Sequence, residues 1–185
     1  MEIKILKNMV MKKKLPKQGF IEKIDVIDLD NNVVETMTMH EVHEKKLPHR
    51  TSHVLIFSTD KTKIFLQKRG PDVFIYPGYF TSSASGHVKS GEDYEKTAYA
   101  ELKEELGVEC KLENIGFLWI EEGDNRERNE VYVGYHDGPF VPDGDDVVGG
   151  EWFEVAWLEE NYKNIKSDPY FRATWECWQK GSNKQ

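Results

Sequence analysis

Three glutamates within one short stretch have the spacing that divalent-metal chemistry requires. Glu101, Glu104 and Glu105 would share one face of a helix, because residues three and four apart lie on the same side. Like charges at these spacings destabilise a helix by roughly 0.2–0.5 kcal/mol per pair, and a bound cation would offset that cost. Mg²⁺ and Mn²⁺ both prefer hard oxygen ligands of this kind. The three carboxylates are therefore candidate ligands for a metal ion that neutralises a diphosphate and activates water.

The same stretch also has a plainer interpretation. Glutamate-rich helix faces are common and usually only solvated, and residues 95–107 taken alone favour that alternative. An apolar repeat predicts a helix over residues 92–106 that packs on a sheet while the carboxylates point elsewhere, and Gly107 suits its end. The repeat consists of Tyr94, Ala98, Leu102 and Leu106.

A wider pattern around this helix changes the balance. Residues 86–108 resemble the Nudix box, G-x5-E-x7-R-E-U-x-E-E-x-G-U, in which U is a bulky aliphatic residue. Ala100 stands where the family has arginine. The other eight fixed positions match: Gly86, Glu92, Glu101, Leu102, Glu104, Glu105, Gly107 and Val108. Such a long pattern is far more specific than a lone glycine motif.

The resemblance implies a Nudix fold, in which a mixed sheet lies between helices. It also implies hydrolysis of nucleoside diphosphates or of other diphosphates linked to a further group. By position, Glu101, Glu104 and Glu105 would be metal ligands, and the backbone carbonyl of Gly86 would join them. Glu92 would orient the loop or a ligand.

The alanine at position 100 is the one departure from the box. The family arginine braces the loop and a glutamate through charge-assisted bonds, and Ala100 cannot do this. Either activity is reduced, or a basic residue compensates. The candidates for compensation are Lys89, Lys96 and Arg69.

The flanks of the box resemble the branch of the family similar to isopentenyl-diphosphate isomerase. That isomerase uses a cysteine for proton chemistry where this chain has Ser85, and a serine hydroxyl is far less acidic than a thiol. His49, His87 and Glu130 match isomerase positions for metal or catalysis, but a further ligand position is Arg128, which cannot bind a metal. The resemblance thus implies an isomerase-like hydrolase. It rests on residues 47–57, 65–70, 76–92 and 128–135.

Several other residues are candidates for substrate binding or proton transfer. Arg69 and Lys68 could hold a phosphate, and an ordinary surface position is an equally good explanation for Arg69. Glu151 follows a glycine-rich loop and is the first additional candidate for a general base or ligand, with Glu130 the second. His87 is a candidate substrate-binding residue, although a structural hydrogen bond explains it about as well.

Polarity patterns predict the elements that must position these residues. An N-terminal hairpin is predicted over residues 20–29 and 33–39, followed by a short helix over 39–46. Further strands are predicted at 52–58, 64–66, 115–120, 130–135 and 152–158, and a terminal helix at 169–180. The five tryptophans are interpreted as packing residues. Strands interspersed with helices predict an α/β (α+β) sandwich with a mixed sheet.

Composition limits the classes of function. The 185 residues carry a net charge of −8, which argues against binding nucleic-acid polymers or anionic membranes. Two cysteines without a metal or disulfide spacing favour a reducing, cytoplasmic location. We expect a basic tail over residues 1–18 and a single domain over 19–185, with a homodimer as an open option.

These features predict a Mg²⁺- or Mn²⁺-dependent hydrolase of a small-molecule diphosphate. Two alternatives stay open at this point. The arginine missing at Ala100 would suit a non-catalytic nucleotide- or metabolite-binding module on the same scaffold. An isopentenyl-diphosphate isomerase is the other, and Ser85 disfavours it.

Overall fold

The predicted helices and strands occur in the predicted order, and the structure adds short strands over residues 80–81 and 84–87 and a helix over 155–161 that the sequence did not predict. The computed structural model describes residues 21–73, 75–122, 125–142, 144 and 146–182, so the predicted tail over residues 1–18 lies outside the described residues. The strands are β1 (Lys23–Ile27), β2 (Val33–Thr38), β3 (His49–Phe57), β4 (Lys63–Arg69), β5 (Phe80–Thr81), β6 (Ala84–His87), β7 (Leu112–Glu122), β8 (Asn125–Tyr135) and β9 (Val147–Glu154). The helices are α1 (Met39–Glu44), α2 (Tyr94–Leu106), α3 (Val155–Asn161) and α4 (Pro169–Ser182).

β3 is the central strand of one mixed sheet. β8 runs parallel to it over its whole length, from His49 to Phe57. Its other edge is shared, because β6 pairs with residues 51–54 and β4 pairs with Ile56 and Phe57. β1 pairs with the first residue of β3 and β2 lies outside β1, while β5 and β9 pair with β4 and β7 pairs with β8. β4 and β6 therefore leave the same edge of β3 side by side, so residues of both strands can border one site.

Two apolar layers cover the sheet because side chains alternate between its faces along each strand. On one face the predicted stripe of α2 is fully buried, and it packs against Val54, Ile56 and Tyr132. The opposite face packs against α3 and α4, through Leu158, Phe171 and Trp175 among others. The predicted α/β/α arrangement with a mixed sheet is confirmed.

The N-terminal hairpin and the helix after it have clear local causes. Asp28 closes the turn between β1 and β2 by accepting hydrogen bonds from the backbone N–H groups of Asp30 (3.0 Å) and Asn32 (2.8 Å). Thr38 caps α1, and Glu41 reaches back to the Thr38 backbone, which completes a capping box. Both elements were predicted from sequence, and the structure contains them.

The prediction of a strand over residues 152–158 is wrong in its second half. β9 begins earlier, at Val147, and ends at Glu154, where Val155 starts helix α3. A short apolar run cannot distinguish a strand from a buried helical turn by periodicity alone, and the second half of this run is helical, with Leu158 buried. Trp157 is also 47% exposed, contrary to the packing role predicted for all the tryptophans.

The cysteines are not candidates for nucleophilic chemistry in this fold. Cys110 and Cys177 are free and partly buried, and burial raises the pKa of both thiols. A higher thiol pKa leaves less of the reactive thiolate at neutral pH. In the described part of the chain, no helix combines the length and apolar character needed to cross a membrane.

Candidate active site

α2 carries the predicted metal ligands, and its two ends are well defined. The Asp93 side chain caps the helix by accepting a hydrogen bond from the backbone N–H of Lys96 at 2.7 Å. Gly107 ends it with a left-handed backbone conformation, φ 71°, which glycine adopts without steric cost. A capped helix with one face packed into the core is a rigid platform for the residues on its other faces.

Two of the three glutamates are held against β6. The Glu105 carboxylate accepts hydrogen bonds from the backbone N–H of Ser85 at 2.9 Å and from the Gln67 side chain at 3.1 Å. The Glu101 carboxylate lies so close to Gly86 that a Cβ atom there would overlap it. A side chain at position 86 would therefore displace the Glu101 carboxylate from its place beside β6.

Burial changes the acid strength of both carboxyl groups. Burial, and then the nearby charge of Glu104, raise the pKa of Glu101 to about 7, and the ammonium of Lys89 opposes that shift. Burial and the charge of Glu101 raise the pKa of Glu105 well above its usual value, against the effect of its hydrogen bonds and of Arg69. Glu104 is exposed on the same helix. The site thus gathers carboxyl groups where water cannot fully solvate their charged forms.

A second cluster of ligand atoms was only partly anticipated. His43 from α1, His49 from β3 and His87 from β6 place ring nitrogens within 4.8 Å of one another. The Nε2 atoms of His43 and His87 are 3.1 Å apart, and the His49 and His87 rings stack at 5.2 Å between centroids. Sequence reasoning missed His43, whose only signal was its position among other histidines near the start of β3.

The histidine cluster is also suited to bind a metal. His49 Nδ1 is 2.9 Å from the Leu47 carbonyl oxygen, whereas its buried Nε2 atom has no hydrogen-bond partner and lies 3.8 Å from a Glu127 oxygen. Burial lowers the pKa of His49 to about 4 and that of His87 well below its usual value. Both rings are therefore neutral at physiological pH, which is the form that coordinates metals.

The two clusters lie on opposite faces of β6. Gly86 is paired with Ser52 and His87 with Thr51 on the adjacent strand, and successive residues of a strand point to opposite faces. The glutamates approach the face of Gly86, and the other two histidines approach the face of His87. Among the described residues, only the three histidines form a compact group of ligand atoms, since the carboxylates of α2 converge less tightly.

Arg69 acts electrostatically on both clusters. It is partly buried at the end of β4, and its Nε donates to the Ile75 carbonyl at 3.0 Å. Burial raises the pKa of Glu105 well above its usual value and lowers that of His87, and the charge of Arg69 is a smaller effect that favours a lower pKa for both groups. Lys68 is exposed, with its ammonium 5.9 Å from the centre of the Phe80 ring. Arg69 is thus placed to meet an anion at this site.

The residues considered as additional acids or bases are placed less favourably. Glu130 already accepts hydrogen bonds from Asn114 (2.7 Å), Arg128 (3.0 Å) and Tyr132 (3.1 Å). Glu151 is exposed on β9 opposite Leu66, so strand alternation points it away from the face on which Gln67 meets Glu105. The catalytic roles assigned to Glu130 and Glu151 stay predictions.

The compensation expected for the missing box arginine has one structural counterpart. Lys96 forms an ion pair with Glu92 at 2.7 Å, one helical turn away. Lys89 pairs instead with Glu22 at 3.1 Å. Glu92 is therefore held by a lysine of α2. Ala100 has no polar side-chain group, so it cannot brace the loop as the family arginine does.

Two surface grooves lie elsewhere. They have volumes of about 520 and 510 Å³ and are bordered mainly by β7 and α4, with Ile115 common to both. None of the predicted site residues lines either groove. The candidate site residues are therefore separate from both grooves.

Comparison with known proteins identifies the class to which this fold and site belong. A crystal structure of a Deinococcus radiodurans protein superposes with a TM-score of 0.72 at 20% identity, covering 85% of this chain and 99% of that one. A model of the NUDIX domain matches residues 47–174. The chain belongs to the Nudix hydrolase family, and it is a diphosphate hydrolase of that type.

Three relatives illustrate the range of the match. An uncharacterized Nudix hydrolase from Yersinia pestis is 28% identical over 151 residues, 81% of this chain and 80% of the relative. A prenyl-diphosphate phosphatase from Methanosarcina mazei is 29% identical over 157 residues, 79% and 85% of the two chains. An isopentenyl-diphosphate isomerase from Aromatoleum aromaticum is 24% identical over 159 residues, 83% and 88%. The predicted resemblance to the isomerase branch is confirmed.

Proposed function

We propose that this enzyme hydrolyses a small organic diphosphate with Mg²⁺ or Mn²⁺ held by Glu101, Glu104 and Glu105. The observation that carries the proposal is the burial of the Glu101 and Glu105 carboxylates against β6. Lys89, the cation whose charge acts on Glu101, forms its ion pair with Glu22 instead. Acids placed in this way are costly to ionise unless a cation joins them.

The donor set fits a hard divalent cation. Glu101 and Glu105 supply carboxylate oxygens beside Gly86, whose backbone carbonyl is the predicted additional ligand. When bound, the cation would neutralise phosphate oxygens and lower the pKa of a water molecule. Glu104 is exposed on the same helix, and a Glu104 oxygen that the cation does not use is our candidate to accept the proton from the attacking water.

Arg69 would orient the substrate. Its charge acts on Glu105 in one cluster and on His87 in the other, in both cases less strongly than burial does. An arginine can bind two phosphate oxygens at once through parallel N–H bonds. We assign it to the diphosphate group that is cleaved.

The histidine cluster would hold a second divalent cation. Neutral imidazoles with one nearby carboxylate suit metals that accept nitrogen ligands, such as Zn²⁺, Co²⁺ or Mn²⁺. The buried and unpartnered Nε2 of His49 supports this assignment, since such an atom is costly without a hydrogen bond or a metal. Glu127 would supply the carboxylate, because one of its oxygens lies 3.8 Å from the Nε2 atom of His49. Arg128 lies on the other face of β8, where it is paired with Glu130.

An apolar group attached to the diphosphate is our proposal for the rest of the substrate. Beside Arg69, the ring of Tyr76 lies 5.4 Å from that of Tyr79 and 6.3 Å from that of Tyr170. Such aromatic surfaces suit a hydrocarbon chain. One relative is a prenyl-diphosphate phosphatase, and a prenyl diphosphate is a hydrocarbon chain attached to a diphosphate. We therefore favour isoprenoid diphosphates over nucleotides.

A substrate comparison tests the proposal. The full chain is stripped of metal with a chelator and then assayed with geranyl diphosphate, isopentenyl diphosphate and ADP-ribose, each with Mg²⁺ or Mn²⁺. We expect metal-dependent release of phosphate or monophosphate, fastest from a prenyl diphosphate. Turnover without metal would contradict the assignment of a catalytic cation. Turnover of ADP-ribose but of neither prenyl diphosphate would contradict the substrate assignment.

The same assay separates the two alternatives. Conversion of isopentenyl diphosphate to dimethylallyl diphosphate without phosphate release would establish an isomerase, which Ser85 argues against because serine is a poor proton donor. Tight binding of a diphosphate with no turnover under either metal would establish a binding module.

A further inference from the structure

The N-terminal hairpin contacts the loop that separates Gly86 from the glutamates of α2. The match to the family domain begins at residue 47, so β1 and β2 lie outside it. The backbone N–H of Ser90 nevertheless donates to the Lys23 carbonyl at 2.8 Å, and Ile24 forms an isolated bridge with Lys89. The hairpin thus extends the sheet to the loop before α2.

Asp25 is a buried polar contact between hairpin and loop. The side chain is only 7% exposed, in the middle of β1. It accepts a hydrogen bond from the Thr36 hydroxyl at 2.7 Å, and its second oxygen lies 3.5 Å from the backbone nitrogen of Gly91. Although burial opposes ionisation, hydrogen bonds from Ser90 and Thr36 keep the pKa of Asp25 below its usual value. A charged acceptor is therefore retained at this junction.

A second contact joins the hairpin turn to the first residue of α2. The Tyr94 hydroxyl donates to the Asn31 side-chain oxygen at 2.9 Å. Arg50 donates to the same oxygen at 2.8 Å and to the Asn31 carbonyl at 2.6 Å. Asn31 has a positive φ of 67°, which asparagine tolerates better than most residues. The hairpin is thus attached both to the loop and to the helix that follows it.

We propose that the hairpin is part of the catalytic apparatus and that Asp25 is a positioning residue, which holds residues 89–91 so that Gly86 and the glutamates of α2 keep their relative places. This inference rests on the proposed function, because it assumes that these groups bind the catalytic cation together. Displacing reacting groups by about 1 Å can cost on the order of a hundredfold in rate. A loosened loop should therefore lower turnover even when the fold is intact.

Replacement of Asp25 by asparagine is the direct test. Asp25→Asn keeps the size of the side chain but replaces one acceptor oxygen with a donor that faces the donors of Ser90 or Thr36. The matched control is Glu35→Gln, which removes a charge from an exposed position of β2 in the same hairpin. Amide hydrogen exchange of residues 88–93, kcat, KM and Mn²⁺ affinity by electron paramagnetic resonance are measured for both variants.

The expected result has three parts. In Asp25→Asn, residues 88–93 exchange faster, kcat falls about tenfold with KM changed less than twofold, and Mn²⁺ binds several-fold more weakly. Glu35→Gln behaves like the wild type in all three measurements. Should Asp25→Asn fail to fold, Ser90→Ala removes one of the same contacts and should change each quantity in the same direction by a smaller factor.

Two outcomes would overturn the inference. Unchanged exchange in residues 88–93 would show that Asp25 does not hold the loop. Faster exchange with normal kcat and Mn²⁺ affinity would show that holding the loop has no bearing on the site. A wild-type protein that neither binds Mn²⁺ nor cleaves diphosphates would instead count against the proposed function, so the two failures are distinguishable.

Discussion

The two ligand clusters beside β6 are assembled in different ways. Glu101, Glu104 and Glu105 come from five consecutive residues of one helix, whereas the three histidines come from α1, β3 and β6. Burial also acts on them in opposite senses, since it raises the pKa of Glu101 to about 7 and lowers that of His49 to about 4.

This difference shows what each cluster needs from a cation. Burial disfavours the charged form of any group. For the histidines the uncharged form is the one that coordinates metal, so the site is ready at neutral pH. For the glutamates the charged form coordinates metal. A cation must therefore displace protons from them and offset the free-energy cost of ionising them. We therefore expect the carboxylate cluster to depend more strongly on metal concentration and pH.

The largest expected effect concerns Glu105. Glu105→Gln removes a ligand charge and should lower kcat/KM about a thousandfold, because a catalytic cation stabilises the transition state by several kcal/mol. Glu109→Gln is the control, since Glu109 lies beyond the end of the helix, is exposed and is paired with Lys103. Steady-state kinetics with Mg²⁺ measure both. Full activity of Glu105→Gln in a folded protein would reject the metal assignment.

A smaller effect is expected in the histidine cluster. His49→Asn should abolish the visible absorption of Co²⁺ bound by nitrogen ligands and lower kcat about tenfold. Glu105→Gln should keep the Co²⁺ absorption, because the two clusters lie on different faces of β6. His40→Asn, an exposed position of α1, serves as the control. Loss of the Co²⁺ spectrum in both site variants would mean that the clusters form one centre.

The pH dependence of stability should distinguish the carboxylate cluster without any assay of activity. Because the pKa of Glu101 is raised from 4.5 to about 7, its contribution to stability is full below about pH 4.5 and is lost as the pH rises through 7. Glu101→Gln has no titratable carboxyl group at this position, so its stability does not change with the ionisation of residue 101. In the presence of a chelator, the Tm of this variant should equal that of the wild type at pH 4.5 and exceed it by a few degrees at pH 8.

The buried histidines do not obscure that comparison. Burial lowers the pKa of His49 and His53 to about 4, so their contribution is full above pH 6.5 and is lost as the pH falls towards 4. The same loss occurs in wild type and variant and cancels in the difference between them. A Tm difference that stays constant from pH 4.5 to 8 would contradict the raised pKa of Glu101.

The smallest effect is expected at position 100. The exposed pair between Lys96 and Glu92 contributes roughly 0.3–0.5 kcal/mol, so Lys96→Ala should lower kcat/KM about twofold. Adding Ala100→Arg should restore that loss, because the long arginine side chain would then extend towards Glu92 from two helical turns away. If Ala100→Arg alone raised kcat/KM tenfold, Lys96 would not be an adequate substitute for the arginine that the family has at position 100.

Local patterns predicted much of the fold and one of the two clusters. The stripe of Tyr94, Ala98 and Leu102 predicted α2 within two residues at its start, since a helix repeats in space every few residues. The strand predicted over residues 152–158 is wrong in its second half because a short apolar run carries no reliable period, and residues 155–158 belong to α3 with Leu158 packed in the core.

The part of the site that escaped prediction depends on contacts between distant segments. His43 has no spacing relation to His87, and the two meet only because α1 packs beside the start of β3 and the end of β6. Asp25 has a local partner in Thr36 of the same hairpin, but it meets Ser90 and Gly91 only because β1 lies against residues 89–91. No local rule relates residues so far apart in sequence.

The sequence by itself determined the chemical class of the protein. The order of glycine, glutamates and apolar residues over residues 86–108 specifies a capped helix with acids on one side, and those preferences are local to the chain. The tertiary structure alone decided which acids are buried, which histidines gather and what holds the loop before α2. Burial and electrostatic interaction depend on distance in space, and only the folded chain establishes those distances.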